Sequence, residues 1–245
     1  MVFYDLHSHI LPGLDDGAFS ADESMEMASL AAADGIAGLV CTPHYFPLFQ
    51  YEQRQLIERY RMFYRAVHAA DLPLRLALGQ EIFLGRTFPD TLRKLEDGSL
   101  LTLNRSVYPL VELDPEEPEE SAVHMLGMLC AHGFKPILAH PERYRFVCEY
   151  TDSLLRLRKI GVLFQITAGS LFGAFGFAAG QTADFMLEHR LCDFIASDAH
   201  NPRHRPPLLR DAFLYVQEQI SPEYAEVLLC RNPLRVLQNQ EILLF

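Results

Sequence analysis

The chain has 245 residues, 49% of them hydrophobic, with a formal net charge of -11. Length and apolar content fit one globular unit, so residues 1–245 are expected to form a single domain with a sizeable core and disorder confined to loops. The acidic balance argues against nucleic acid as a partner, because duplex binding depends on Lys and Arg neutralising phosphates, but it leaves room for a compact anion where metal ions reverse the local field.

In chain order, short apolar runs at 2–6, 36–42, 74–79, 107–113, 136–139, 162–167 and 192–197 read as strands. Helix-like stretches lie between them. The first opens on Ser20-Ala-Asp-Glu23, which fits a capping box, and others cover 51–70, 89–96, 118–132, 152–159 and 181–189. Strands each followed by a helix predict a parallel, barrel-like α/β fold. Beyond Pro207 the chain reads as helical over 208–219, 222–229 and from 233. The acidic run at 114–120 reads as a solvated helix start, and the glycine-rich stretch 169–176 as a flexible loop over the barrel mouth. That stretch matches neither dinucleotide nor Walker spacing.

No apolar run approaches the roughly 20 residues a membrane-spanning helix needs, and no basic, apolar leader precedes the first strand. The five cysteines are scattered, without a C-x-x-C pair. They predict neither a disulfide framework nor a thiolate zinc site. Together these features predict a cytoplasmic protein with no direct membrane insertion.

Metal-type side chains recur at the carboxyl ends of the predicted strands. His7 and His9 follow the first, His44 the second and Glu81 the third; Glu112 ends the fourth, His140 the fifth, and Asp198 with His200 the last. Asp16 follows in the first loop. In a barrel these ends converge on the face where active sites are built. Five imidazoles and four carboxylates exceed what one divalent ion uses, so two or three ions are expected, and an all N/O donor set suits Mn, Fe or Zn. His68, His124, His132 and His189 fall in predicted helices and are read as surface or packing residues, while His204 in Asn-Pro-Arg-His-Arg-Pro-Pro is left open. Arg143 and Arg205 each follow a metal-type motif closely, and guanidinium pairs with phosphate in bidentate fashion. Hydrolysis of a phosphate ester therefore fits best. Asp198 and His200 are the candidate proton donors to the leaving group.

The opening Asp-Leu-His-Ser-His-Ile-Leu-Pro-Gly-Leu-Asp-Asp-Gly, the Thr-Pro-His at 42–44, Gly-Gln-Glu-Ile at 79–82, His-Pro-Glu-Arg-Tyr at 140–144 and Ala-Ser-Asp-Ala-His at 196–200 together resemble the polymerase and histidinol phosphatase (PHP) family. Within it they are similar to the bacterial capsule-type protein-tyrosine phosphatases. The resemblance implies a distorted (β/α)7 TIM-like barrel holding three metals, manganese by preference. It implies one ion on His7, His9, Glu81 and Asp198, a second on Glu81, Glu112 and His140, and a third on Asp16, His44 and His200. The implied substrate is phosphotyrosine on the tail of a membrane-associated tyrosine autokinase in capsule or exopolysaccharide synthesis. A hydroxide bridging the ions would attack phosphorus with no phosphoenzyme. Alternatives are a small-molecule phosphatase of the histidinol phosphate type and a non-catalytic metal-binding module. No cysteine has an arginine six positions later, as the cysteine-dependent route requires.

Overall fold

The computed structural model describes residues 2–46, 48–49 and 51–245. Its strands are β1 (Phe3–Ser8), β2 (Ile36–Cys41), β3 (His44–Tyr45), β4 (Arg75–Leu78), β5 (Glu81–Phe83), β6 (Leu110–Glu112), β7 (Ile137–Ala139), β8 (Leu163–Thr167) and β9 (Phe194–Ala196). All pair in parallel, in the orders β1-β2-β4 and β3-β5-β6-β7-β8-β9. The last line returns to the first. Asp198 donates its N–H to the His7 carbonyl at 2.9 Å, His9 donates to the Ala199 carbonyl at 2.7 Å, and Ser8 and Ala199 form a parallel bridge. The result is the expected distorted (β/α)7 barrel, with β2–β3 and β4–β5 as two interrupted lines.

Those interruptions add to the sequence reading, which placed His44 and Glu81 just after strands at 36–42 and 74–79 and did not foresee the short strands they begin. His44 and Glu81 open β3 and β5 and face each other in register. The first break falls at Thr42–Pro43, where proline has no N–H to give the ladder. The second falls at Gly79–Gln80, where Gln80 pairs sideways with Leu101: its N–H donates to the Leu101 carbonyl at 3.1 Å and its Oε1 accepts the Leu101 N–H at 2.9 Å.

The period of two along each strand separates two cores. Val40, Leu110, Ile137, Leu163 and Phe194 pack together with Leu6 and Tyr108 in one cluster. Their strand neighbours Leu39, Val111, Leu138, Phe164 and Ile195 join the larger cluster shared with the helices. Gln165 and Thr167 continue the face of Leu163 along β8, and both reach the carboxyl-end mouth.

The helices are α1 (Ala21–Asp34), α2 (Gln53–Ala69), α3 (Phe88–Glu96), α4 (Glu119–Ala131), α5 (Arg145–Glu149), α6 (Asp152–Lys159), α7 (Phe177–Glu188), α8 (Arg210–Gln219), α9 (Pro222–Glu226) and α10 (Asn232–Leu237). Ser20 caps α1 as expected, accepting the Glu23 N–H at 3.2 Å. Two helix expectations need correction. The helix predicted from 181 starts at Phe177, and the one predicted over 222–229 ends at Glu226 and runs into a π-helical turn, Val227–Arg231. The glycine-rich stretch forms a 3-10 turn, Ala168–Phe172, that Ser170 ties to Glu142 by a 2.7 Å hydrogen bond.

Beneath the barrel, buried Asp193 accepts from Arg158 and from the Phe164 N–H, each at 2.8 Å. Removing the carboxylate strands the Phe164 N–H and takes the charged partner from Arg158, which keeps its bond to the Leu191 carbonyl. Asp193→Ala should lower stability by about 2–3 kcal/mol, a fall in Tm of roughly 5–10 °C on thermal unfolding, with metal content unchanged.

Candidate metal centre

All nine sequence-predicted ligand residues gather at the carboxyl-end mouth. Glu81 lies at the centre: its Oε2 is 3.1 Å from His7 Nε2, from His9 Nε2 and from His44 Nδ1, and its Oε1 is 2.8 Å from His140 Nε2. Glu112 Oε1 lies 3.0 Å from His44 Nδ1, and Asp198 Oδ1 lies 3.4 Å from His7 Nε2. Asp16 approaches His44 and His200 at 3.5 Å each. Asp16 is half exposed, whereas His7, His9, Glu81 and Asp198 are buried.

Several residues that the sequence reading did not single out orient this set. Gln165 donates its amide to the Ile166 carbonyl, which turns Oε1 toward His7 Nδ1 at 2.8 Å. Asp15 Oδ2 meets His9 Nδ1 at 2.7 Å and also accepts the His44 N–H at 2.9 Å. Acceptors behind both rings require a proton on each Nδ1, so in neutral imidazoles each Nε2 carries a bare lone pair. Those two Nε2 atoms stand 3.0 Å apart and face the carboxylates of Glu81 and Asp198. Such a convergence of lone pairs and negative oxygens is repulsive unless protons or metal cations sit among them: the carboxylates raise His7 and His9 against the burial that would lower them, and a divalent metal cluster would displace those protons. Outer acceptors of this kind fix tautomer and ring direction in metal sites. Asp-Asp-Gly in the first loop was the available signal for Asp15; Gln165, far along the chain, gave none.

Gln80 donates to the Tyr51 hydroxyl at 3.1 Å, and Tyr51 in turn donates to the His44 carbonyl at 2.8 Å. Gly17 allows the first loop to fold onto the site: a Cβ there would stand 2.0 Å from the His9 carbonyl oxygen. His140 and Asp198 adopt left-handed backbone conformations, with φ 37 and 52. For non-glycine residues this costs of order 1–3 kcal/mol and concentrates at functional sites.

Electrostatics follow burial and charge. Burial alone would raise Glu81, but His7 and His44 hold it well below the usual carboxylate range. Glu112 is pushed up to about 7, by burial first and then by Glu81. His140 is brought down to about 4 by burial and by Arg143, which leaves it a neutral ligand-type imidazole. Burial opposes ionisation of Asp198 too, yet His7, Arg143 and Arg205 outweigh it and keep the carboxylate ionised. Arg143 and Arg205 both donate to Asp198 Oδ2, at 2.7 and 2.6 Å, and Arg143 also donates to Thr167 Oγ1 at 2.7 Å. His68, His124, His132, His189 and His204 are exposed. Of these, His204 alone lines the groove that Asp16 and His200 also border.

A parallel α/β barrel with carboxylates, imidazoles and two arginines at its carboxyl-end mouth defines a class of metal-dependent hydrolases. The model of the capsular polysaccharide synthesis CpsB/CapC family matches residues 3–238, and the chain belongs to that family. It is 34% identical over 239 residues to the tyrosine-protein phosphatase YwqE of Bacillus subtilis, covering 97% of this chain and 92% of that protein. It is 28% identical over 244 residues to the tyrosine-protein phosphatase CpsB of Streptococcus pneumoniae, covering 97% and 99%. It also superimposes on a crystal structure from work on those two proteins, described there as unique metal-dependent tyrosine phosphatases, with a TM-score of 0.90, 33% identity and coverage of 99% of this chain and 97% of that one.

Two outcomes test the centre directly. Exhaustive chelation should lower Tm, and excess divalent metal at about 100 times its Kd should restore about 2.7 kcal/mol per linked site, read by thermal unfolding across a metal titration. Asp15→Ala, which frees His9 without touching a proposed ligand, should weaken metal affinity about 10- to 100-fold in a competition assay with a chromophoric chelator.

Proposed function

We propose that the chain is a metal-dependent protein-tyrosine phosphatase acting on the phosphotyrosine tail of a membrane-associated tyrosine autokinase in capsule or exopolysaccharide synthesis. One observation carries the chemistry: two guanidinium groups converge on one oxygen of Asp198 at the edge of a nest of imidazoles and carboxylates. That is a site with cation-binding donors on one side and phosphate-binding donors on the other.

In this reading residues 1–245 act as one PHP-type unit, which the span of the site from His7 to His200 supports. His7, His9, Glu81 and Asp198 would hold one ion, Glu81, Glu112 and His140 a second, and Asp16, His44 and His200 a third. Donor atoms of His9, Asp16, His44 and His200 lie within 4.8 Å of one another, so His9 borders both the first and third positions. Manganese suits the N/O donor set, with Fe or Zn as substitutes and no thiolate to favour zinc. The ions, when bound, supply an ionised water near neutral pH and neutralise charge on the phosphoryl group.

The chain's own residues do the rest. Arg143 and Arg205 bind the phosphoryl oxygens and orient the ester, and Thr167 and Asp198 aim them. Asp198 is kept ionised by the two guanidiniums, and burial together with His9 holds His200 below the ordinary imidazole range, so neither gives the departing phenolate more than weak assistance. With a leaving-group pKa of about 10 that assistance need only be weak. Nucleophilic cysteine is unsupported: burial raises the thiols of Cys41, Cys148 and Cys192, and Cys148, near Glu142, donates to that residue's carbonyl at 3.0 Å. In this reading the scattered cysteines are reduced thiols and the setting is cytoplasmic. No helix among the described residues is long and apolar enough to cross a membrane.

The test compares kcat/KM for a phosphotyrosyl peptide and for histidinol phosphate in Mn2+. The peptide should be preferred by at least about tenfold, and a large preference for histidinol phosphate would shift the assignment to the small-molecule type. His140→Ala should lose at least about 100-fold in kcat/KM, chelation should abolish turnover, and Cys148→Ser should retain wild-type activity. Activity that persists in thoroughly chelated protein would remove the mechanism.

A further inference from the structure

Two like charges drawn to one oxygen repel each other, and Asp198 offsets only one of them. Arg143 and Arg205 nevertheless sit side by side, with the Nε atoms of both buried and without a hydrogen-bond partner among the described residues. The aromatic ring of Phe175 accounts for this. Its centroid lies 3.5 Å from the Arg143 guanidinium carbon and 5.4 Å from that of Arg205. An aromatic face carries partial negative charge, attracts guanidinium and accepts its flat surface without a hydrogen bond. Phe175 is half-buried on the turn that links Ala168–Phe172 to α7. Its place there is set by the backbone: the next residue, Gly176, has φ 90 and ψ 170, a region open essentially to glycine alone. On the other side Gly169 packs close to the turn, where a Cβ would stand 3.3 Å from the Ala174 Cβ and 3.4 Å from the ring.

We infer that Phe175 is a positioning residue that holds the Arg143 and Arg205 guanidiniums together, oriented toward the phosphoryl oxygens of the substrate. The inference rests on the phosphatase reading for its biological meaning. Its physical content is orthophosphate binding through the arginines, which is measured without turnover. Phe175 touches no reacting atom, and its effect passes through the two arginines.

Orthophosphate affinity of the metal-loaded protein, by titration calorimetry, is the decisive readout. Phe175→Leu should weaken it about tenfold, Phe175→Tyr should return it to within about twofold of wild type, and Gly176→Ala, which strains the turn but keeps the ring, should weaken it in the same direction. Metal content and Tm of Phe175→Leu should match wild type. In the Arg143→Ala/Arg205→Ala background the same Phe175→Leu change should have no further effect, because the groups it positions are gone. Steady-state assays should record the loss mainly as a raised KM for the phosphotyrosyl peptide. Wild-type phosphate affinity in Phe175→Leu, or an undiminished effect in the double-alanine background, overturns the inference. If the wild type binds orthophosphate yet hydrolyses no phosphomonoester, the functional reading falls while these comparisons still decide the role of Phe175.

Discussion

The site depends on a surplus of electron pairs gathered in a small buried volume. Glu81 Oε2 faces three imidazole nitrogens at the same 3.1 Å, with Glu112 and Asp198 close by. Burial alone would lower His7, His9 and His44, yet the carboxylates hold all three above the ordinary imidazole range, and with Gln165 and Asp15 fixing Nδ1 of His7 and His9 on the far side, divalent cations would take the place of the Nε2 protons. Most of the local architecture can be derived from this constraint. Strand lines break so that His44 and Glu81 oppose each other, the first loop folds tightly over Gly17, and His140 and Asp198 accept unfavourable backbone angles. Each is costly in isolation and is tolerated where surrounding packing over-determines the position.

The arginines belong to the same balance. Asp198 is shared between the cation-binding and phosphate-binding sides: Oδ1 faces His7 and His9, and Oδ2 receives both guanidiniums. One carboxylate thus fixes the distance between the two halves of the site. Its position directly after β9, next to the hydrogen bonds that join β9 to β1, ties that distance to closure of the barrel.

Much of this was legible in the sequence because two periodicities are simple. Apolar runs of strand length located the seven strand lines, and metal-type residues at their carboxyl ends marked the site, from His7 to His200. What escaped the reading was set by contacts distant in sequence. Gln165 reads as an ordinary polar residue in a buried strand until His7, 158 positions away, lies against it. The breaks before His44 and Glu81 depend on Pro43 and on the pairing of Gln80 with Leu101, and a propensity argument does not weigh such pairing. Phe175 sits in a stretch whose glycines suggested flexibility, although the same glycines allow the turn to be ordered.

The supports behind the opening pair of histidines are chemically unequal. A neutral amide stands behind His7 and a carboxylate behind His9, so the second ring is the more electron-rich donor. A cation held by both rings would feel an asymmetric pull, bound more firmly from the His9 side than from the His7 side.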